Sequence, residues 1–485
     1  MRIAAALALG AALALPAAAA AGGIRGAGSE AGRLATPPRL TAAELAFVDT
    51  LQHRTFLFFW ELADSATGMM HDRWPTRSFV SVASTGFALT AWPIGCERGW
   101  ITRAQAADRT LRTLAFHWRG RQDASPAGAM GYRGFFYHFL HPGSGTRFEQ
   151  VELSDIDTAL FLAGALFCQS YFDRAVPAER RVRALVDSLV ARVEWTWMLV
   201  RPPLLSMGWK PGEGHLEWDW HGYNEAMVLQ LLALGSPTHP VSPATWRAWT
   251  QGYRWGTFHG RTYLGFAPLF GHQYSHVWVD FRGIQDAAMR ERGLDYFENS
   301  RRATYAQRAY AIANPSGFKD YGADVWGLTA CDGPLDGKVT VGGREREFHT
   351  YRARGACFTH VQDDGTIAPT AAGGSIAFAP EICLPALMAM RERWGEHVFR
   401  RYGFVDSFNP TLDVTVRTQH GHVVPGVGWF DDDHLGIDQG PILAMLENWR
   451  SGLVWRAMRR NPHLRRGLLA AGFRGGWLGD GAGRR

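Results

Sequence analysis

Two kinds of helix alternate along this chain, and that alternation constrains its architecture more than any other feature. One kind is amphipathic. "TAAELAFVDTLQHRTFLFFWEL" (41–62), "TRAQAADRTLRTLAFHW" (102–118) and "PAERRVRALVDSLVARVEWTWM" (177–198) repeat apolar residues at three- and four-residue spacing between arginines and acids. Thr41 and Thr102 stand where N-caps belong. The other kind is apolar nearly all round: "STGFALTAWPIG" (84–95), "IDTALFLAGALFCQSYF" (156–172), "NEAMVLQLLALG" (224–235) and "EICLPALMAM" (381–390). A helix without a polar face must be buried on every side. The order therefore runs outer, inner, outer, inner. Residues 241–255 and 300–314 add outer helices, and 282–297 and 440–458 add more polar inner ones, about six pairs in all. The pattern predicts an all-α fold of two concentric rings, an α/α barrel (toroid) with long loops on the active-site face; an irregular helical solenoid is the alternative. Strand-like alternation is confined to short pieces, "KVTVGG" and "REREFHTY", in the long loop from Pro315 to Gly374.

The 485 residues, 46% hydrophobic and 20% charged, are ample for one large core. "MRIAAALALGAALALPAAAAAGG" reads as a signal peptide over residues 1–21, followed by a flexible linker over 22–40. A single catalytic domain over 41–475 and a disordered basic tail over 476–485 complete the expected organisation. A periplasmic or secreted monomer follows, with no membrane association after cleavage. The net charge of +6 comes largely from tail arginines, which read as a solvated helix face, so no nucleic-acid partner is expected. Five cysteines show no CxxC spacing; Cys331 and Cys357 bracket one loop and are a candidate disulfide.

In a barrel of this kind the inner helices are parallel, and their N-terminal loops open on one face. Standing there are Ser84 and Thr85, Asp155 and Asp157, Asn224 and Glu225, Asp280 and Asp286, Glu381, and Asp438. Acids in a first turn also serve as caps, and "SDID" has the spacing of a capping box for Asp157. Capping alone needs no neighbouring Trp218, Trp220, Tyr223 or Trp278. Aromatic faces beside carboxylates suit a sugar, and a glycosidic bond is broken by two carboxyl groups. An esterase elbow, an HExxH metal site and a P-loop are all absent. "FDDDH" reads as a solvated turn without EF-hand spacing, so neither a metal nor another cofactor is expected.

Five blocks, "WDWHGYNEAMVLQLLALGSPTHP", "QYSHVWVDFRGIQD", "DVWGLTACDGP", "DGTIAPTAAGGSIAFAPE" and "LGIDQGPILAMLENWRSGLVW", resemble the bacterial glucoamylase-like (glycoamylase) domain family. That family is related to the glycoside hydrolase family 144 endo-β-1,2-glucanases, and similar domains occur in cyclic β-1,2-glucan synthases. The resemblance spans roughly residues 50 to 470. It implies an (α/α)6 barrel, an oligo- or polysaccharide partner, and hydrolysis of β-1,2-glucan with inversion and no metal. It places the general acid on Glu225 and the base on Asp438, with Glu152 and Asp157 at matching acidic positions. The remaining substrate-binding candidates are Asp155, Trp218, His221, Tyr223 and Asn224, together with Trp278, Arg282, Trp326 and Asp332. Two features depart from the family pattern: Cys331, where a small residue such as serine is expected, and the loop from Leu335 to Gln362. Transglycosylation on the same linkage, a non-catalytic glycan-binding protein and a starch-type glucoamylase are the competing readings.

Overall fold

The computed structural model describes residues 40–479; the expected leader, the linker up to residue 39 and residues 480–485 lie outside the described residues. The helices are α1 (Ala42–Leu62), α2 (Val82–Glu97), α3 (Arg103–Arg119), α4 (Asp155–Tyr171), α5 (Pro177–Arg192), α6 (Met227–Leu234), α7 (Pro243–Gln251) and α8 (Phe270–Trp278). They are followed by α9 (Ala287–Arg292), α10 (Tyr296–Ala313), α11 (Pro369–Gly373), α12 (Pro380–Trp394), α13 (Gly436–Arg450), α14 (Leu453–Met458) and α15 (Pro462–Ala470).

Six of these close a ring. Helix α2 packs on α4 and α13, α4 on α6, α6 on α8, and α11 on α13. The remaining junction is polar: Gln273 of α8 donates through Nε2 to the Ala371 carbonyl of α11 at 2.9 Å and to Ser375 Oγ at 2.8 Å. Outside this ring, α1, α3, α5, α7, α10 and α12 each lie against an inner helix. Burial follows the sequence pattern, since all eight residues of α6 are buried. The outer helices start at predicted caps: Thr41 with Glu44, and Thr102 with Gln105, form reciprocal capping boxes.

The inner α2 and α4 approach backbone to backbone. A Cβ on Gly164 would lie 2.1 Å from the Gly86 carbonyl oxygen, and one on Gly86 would lie 2.5 Å from the Leu160 carbonyl oxygen. Gly164→Ala gains about 1 kcal/mol of helix propensity, but the backbone cannot yield as a side chain would. Overpacking of about 1–3 kcal/mol outweighs that gain. The variant therefore melts at lower temperature than the parent in a thermal unfolding scan; an unchanged or raised midpoint contradicts this packing.

Two assignments of inner helices are corrected. "EICLPALMAM" lies in α12, an outer helix with Glu381 and Pro385 exposed. Its inner partner is the five-residue α11, too short and too small-residued to show a period. Residues 282–297 form α9 and the start of α10, and the inner helix before them is α8. That helix is rich in His, Gln and Ser, and all of it except Phe270 is buried.

The fold is not all-α. Short strands build the loops, including a five-stranded antiparallel sheet of Gly131–Tyr132, Phe135–Tyr137, Leu153–Ser154, Trp209–Lys210 and Gly214–His215. The pieces "KVTVGG" and "REREFHTY" supply the hairpin Gly337–Val341 and Arg344–Phe348. Two-residue strands Val80–Ser81, Leu153–Ser154 and His434–Leu435 run directly into α2, α4 and α13. Each is paired to another strand, which pins the first turn of three inner helices.

The last described residues also correct an expectation. Gly476–Leu478 form a 3-10 turn, and Trp477 Nε1 donates to the Asp280 carbonyl at 2.7 Å, so this part of the expected disordered tail is ordered. All five cysteines are unpaired. Cys331 Sγ lies against the Arg354 guanidinium and Cys357 Sγ faces the Thr359 hydroxyl, so these two thiols point to different neighbours. Among the described residues no helix is long and apolar enough to cross a membrane.

Candidate active site

Glu225 sits in the turn that enters α6. Asn224 Oδ1 accepts the Ala226 N–H at 2.9 Å, and Ser275 of α8 bridges the Glu225 carbonyl and the Val228 N–H at 3.0 and 2.9 Å. The backbone is thus fixed from two helices while the side chain stays free. Its Oε2 is buried and accepts no hydrogen bond. Burial, with nearby Asp157 adding to it, pushes the carboxyl up to about 7.

Beside it, His138 spans two acids. Its Nδ1 lies 2.7 Å from Glu152 Oε1 and its Nε2 3.6 Å from Asp157 Oδ2. Burial opposes a charge on this ring, but Asp157, Glu152 and Asp72 outweigh it and raise the pKa to about 9. Burial likewise opposes ionisation of Glu152, and His138 outweighs it, holding the carboxyl at about 2. Asp157 goes the other way, raised by burial against its contacts with His138 and Ser154. The Ser154 hydroxyl donates to Asp157 Oδ2 at 2.5 Å and accepts the Asp157 N–H at 3.2 Å, so the cap foreseen in "SDID" is present.

The His138–Glu152 pair makes stability depend on pH. The histidine rises from 6.5 on folding, so its contribution is complete below 6.5 and is lost as pH climbs through about 9. The glutamate falls from 4.5, so its contribution is complete above 4.5 and is lost as pH drops through about 2. His138→Gln should flatten the decline in melting temperature between pH 6.5 and 9. An equal decline in parent and variant contradicts the pairing.

Asp438, in the first turn of α13, faces a nest of buried acids. Arg73 Nη1 donates to Asp332 Oδ2 at 2.5 Å, its Nε to Asp72 Oδ2 at 3.2 Å, and it lies 3.7 Å from Asp433. Asp431 Oδ1 accepts the Asp432 N–H at 2.7 Å and the Asp433 N–H at 3.3 Å. The run "FDDDH" is therefore no solvated turn, since Asp431 and Asp433 are buried. Asp332, Asp406 and Asp431 present carboxylate oxygens within 4.8 Å of one another, and the positive charge set at their edge is Arg73. Burial pushes Asp438 up to about 7; a hydrogen bond with Asp406 opposes that rise, and Asp332 and Asp72 add to it.

Tyr274 of α8 stands near both Glu225 and Asp438, with its hydroxyl donating to the Ile437 carbonyl at 3.2 Å. Arg354 ties the surrounding loops together. Its side chain is fully buried, forked onto Asp364 at 2.8 Å twice, and donates to the carbonyls of Cys331 (2.8 Å), Asp332 (3.3 Å), His349 (2.9 Å) and Thr350 (3.1 Å). This fastens the Asp332 segment to the segment carrying Tyr351, which faces Asp438, Asp406 and Asp332.

The structure thus brings Glu225, Asp157, Glu152, Asp332 and Asp438 into one region. Asn224 serves there through its backbone-capping amide. Trp218 is 58% exposed and His221 is exposed, both on the loop before Glu225. Other candidates take structural positions. Asp155 is fully buried and accepts the Trp220 indole N–H at 3.0 Å, anchoring that same loop. Tyr223 is buried with its ring stacked near Tyr296. Trp278 is fully buried, stacks on Phe87 and donates to Thr90 Oγ1 at 2.9 Å, so it cannot meet a ligand. Trp326 is likewise fully buried.

Arg282 is forked onto Asp280 and lies over Trp455, beyond the C-terminal end of α8. Asp286 caps α9 and accepts from Trp246 and Tyr296. Glu381 pairs with Arg301 and Tyr305. These acids lie off the rim because the inner helices there are α8 and α11 rather than residues 282–297 and 381–390. Sequence reasoning missed His138, Asp72, Arg73, Asp406, Tyr274, Tyr351 and Arg354. "HDRW" (71–74) and "HTYRAR" (349–354) are compact polar–aromatic stretches that carry four of them.

A family model, Glycoamylase, described as "Putative glucoamylase", matches residues 217–462, just over half of the chain. The chain belongs to the glycoamylase family. A Parabacteroides distasonis protein named exo-β-1,2-glucooligosaccharide sophorohydrolase (non-reducing end) is 27% identical over 455 residues, 87% of this chain and 57% of its own length. This glycoamylase-family chain therefore spans little more than half of that curated relative. The solved endo-β-1,2-glucanase from Chitinophaga pinensis, in complex with sophorotriose and glucose, is 26% identical with a TM-score of 0.76, covering 90% of this chain and all of that one. The β-1,2-glucanase from Parabacteroides distasonis is 25% identical with a TM-score of 0.75, covering 90% of this chain and 61% of that one.

Proposed function

We propose that this glycoamylase-family protein is an exported glycoside hydrolase that cleaves β-1,2-linked glucan internally and with inversion. Its double ring is an (α/α)6 barrel, and the protein works as a monomer in the periplasm or outside the cell. One observation carries the catalytic reading. Glu225 and Asp438 stand at the starts of two inner helices, each with a buried carboxyl oxygen that receives no N–H donor and no cation. The names of the related β-1,2-glucan enzymes support the substrate class.

Glu225 is the general acid. Burial keeps a useful fraction of it protonated near neutral pH, so it can deliver a proton to the glycosidic oxygen as the bond breaks. Asp438 is the general base, taking the proton of the attacking water directly or through a substrate hydroxyl on the opposite face of the sugar. His138 with Glu152 and Asp157, and Arg73 with Asp332, shape the polar walls that hold sugar hydroxyls. Trp218 offers an apolar face at the mouth.

Both catalytic groups are pushed up to about 7. The active form needs one protonated and the other ionised, so kcat/KM should follow a narrow bell centred near neutrality. A broad plateau from acid to alkaline pH contradicts this assignment. The substrate class is tested by incubating the protein with linear β-1,2-glucan and, separately, with starch, followed by chromatography. Short β-1,2-linked oligosaccharides from the first and none from the second are expected. Release from starch alone, or from neither, overturns the reading.

A further inference from the structure

Asp406 has no part in the acid and base roles above, yet it lies directly against Asp438. It sits between the short strands Gly403–Phe404 and Phe408–Asn409 and is fully buried. Its Oδ2 is fixed by the Asp332 backbone N–H at 2.6 Å, and the neighbouring Ser407 hydroxyl donates to the Asp332 carbonyl at 2.9 Å. Its Oδ1 and Asp438 Oδ2 are both enclosed, neither has any other donor, and the two carboxyl groups meet each other. Two ionised carboxylates are acceptors only and cannot form that contact; one proton converts it into a strong hydrogen bond.

The surroundings decide which residue keeps the proton. Asp438 lies in the first turn of α13, where the helix dipole favours a carboxylate. Asp406 has no helix start beneath it. From the neighbouring loops it faces Asp332, and that acid already holds the Arg73 guanidinium. Asp431 and Asp433 approach from the preceding strand connection, and Asp72 from the segment beside Arg73. Tyr274 of α8 and Tyr351 add hydroxyls, and Cys331 a thiol, but no positive charge.

We infer that Asp406 stays protonated and donates a hydrogen bond to Asp438, holding the base ionised and aimed: it is a positioning residue, acting through Asp438 rather than on substrate. Burial first, then Asp438 and Asp332, push the Asp406 carboxyl well above the usual carboxylate range and outweigh the Asp332 N–H that favours its ionised form, in line with that placement. The inference rests on Asp438 being the base.

The test compares the acidic limb of the kcat–pH profile on linear β-1,2-glucan for the parent, Asp406→Asn and Asp406→Ala, with infrared difference spectra of the parent and Asp406→Asn without substrate. The amide of Asp406→Asn still donates, so kcat falls but the limb stays in place. Asp406→Ala leaves Asp438 without a donor, and the limb rises by about one to two pH units. The carbonyl band of a protonated carboxyl at neutral pH, present in the parent and lost in Asp406→Asn, reports the proton independently of any activity. A limb that falls in Asp406→Asn shows that Asp406 carries a charge and overturns the inference, as does an unmoved limb in Asp406→Ala or a missing band. A parent inert on the glucan but showing the band overturns the substrate reading and leaves the hydrogen bond standing. Should Asp406→Ala not fold, the band and the Asp406→Asn limb still decide.

Discussion

Glu225→Gln leaves the chain folded and lowers kcat on linear β-1,2-glucan by about 10²–10⁴-fold, the range a positioned general acid supplies. The substitution is nearly isosteric, and the backbone contacts of this residue run through its carbonyl and its neighbours rather than its carboxyl. Stability therefore changes little. What is lost is the proton for the departing sugar oxygen, so a substrate with an aryl leaving group, which needs no such proton, should lose far less activity. Steady-state kinetics on both substrates, beside a melting curve, check this. Near-parental turnover on the glucan, or equal losses on both substrates, contradicts the role given to Glu225.

Arg354→Met should destabilise the protein by about 3–5 kcal/mol, the cost of stranding a buried charge. Asp364 is held below the usual carboxylate range because Arg354 outweighs its burial, and it has no second cation within reach. The carbonyls of Cys331, His349 and Thr350 lose this donor at the same time, while that of Asp332 keeps the Ser407 hydroxyl. Arg354→Lys keeps the charge but not the fork, so it should restore only part of the loss. Removing both charges, Arg354→Met with Asp364→Leu, should recover stability relative to Arg354→Met alone. Urea unfolding of the three variants measures this; a loss under about 1 kcal/mol in Arg354→Met contradicts the hub. Activity should fall with it, since Asp332 and Tyr351 share that anchor.

Much of the ring was legible because burial on all sides leaves a plain mark. The runs "IDTALFLAGALFCQSYF" and "NEAMVLQLLALG" have no polar face, and both lie in the inner ring as α4 and α6. The misreadings came where burial was achieved by other means. Helix α8 is buried yet carries His272, Gln273, Ser275 and His276, whose polar atoms reach the loop before α8, α11, the turn before α6 and α10 in that order. Helix α11 is five small residues, below any detectable period. Two-residue strands leave no alternation to read.

The site divides in the same way. Glu225, Asp157 and Asp438 stand at helix starts, where position along the chain predicts position in space. Asp72, His138, Asp332, Asp406 and Arg354 come from loops joined only by the fold. Asp280, Asp286 and Glu381 look equivalent to the first group because a carboxylate before a helix caps, pairs or catalyses with the same letters.

The most direct test of the account follows the first-formed product of linear β-1,2-glucan by proton NMR, before the new reducing ends equilibrate. With Glu225 as acid and Asp438 activating water from the opposite face, the new reducing ends should appear first as the α-anomer. β-anomer appearing first would mean retention through a covalent intermediate, and would contradict the pairing of Glu225 with Asp438 on which the account rests.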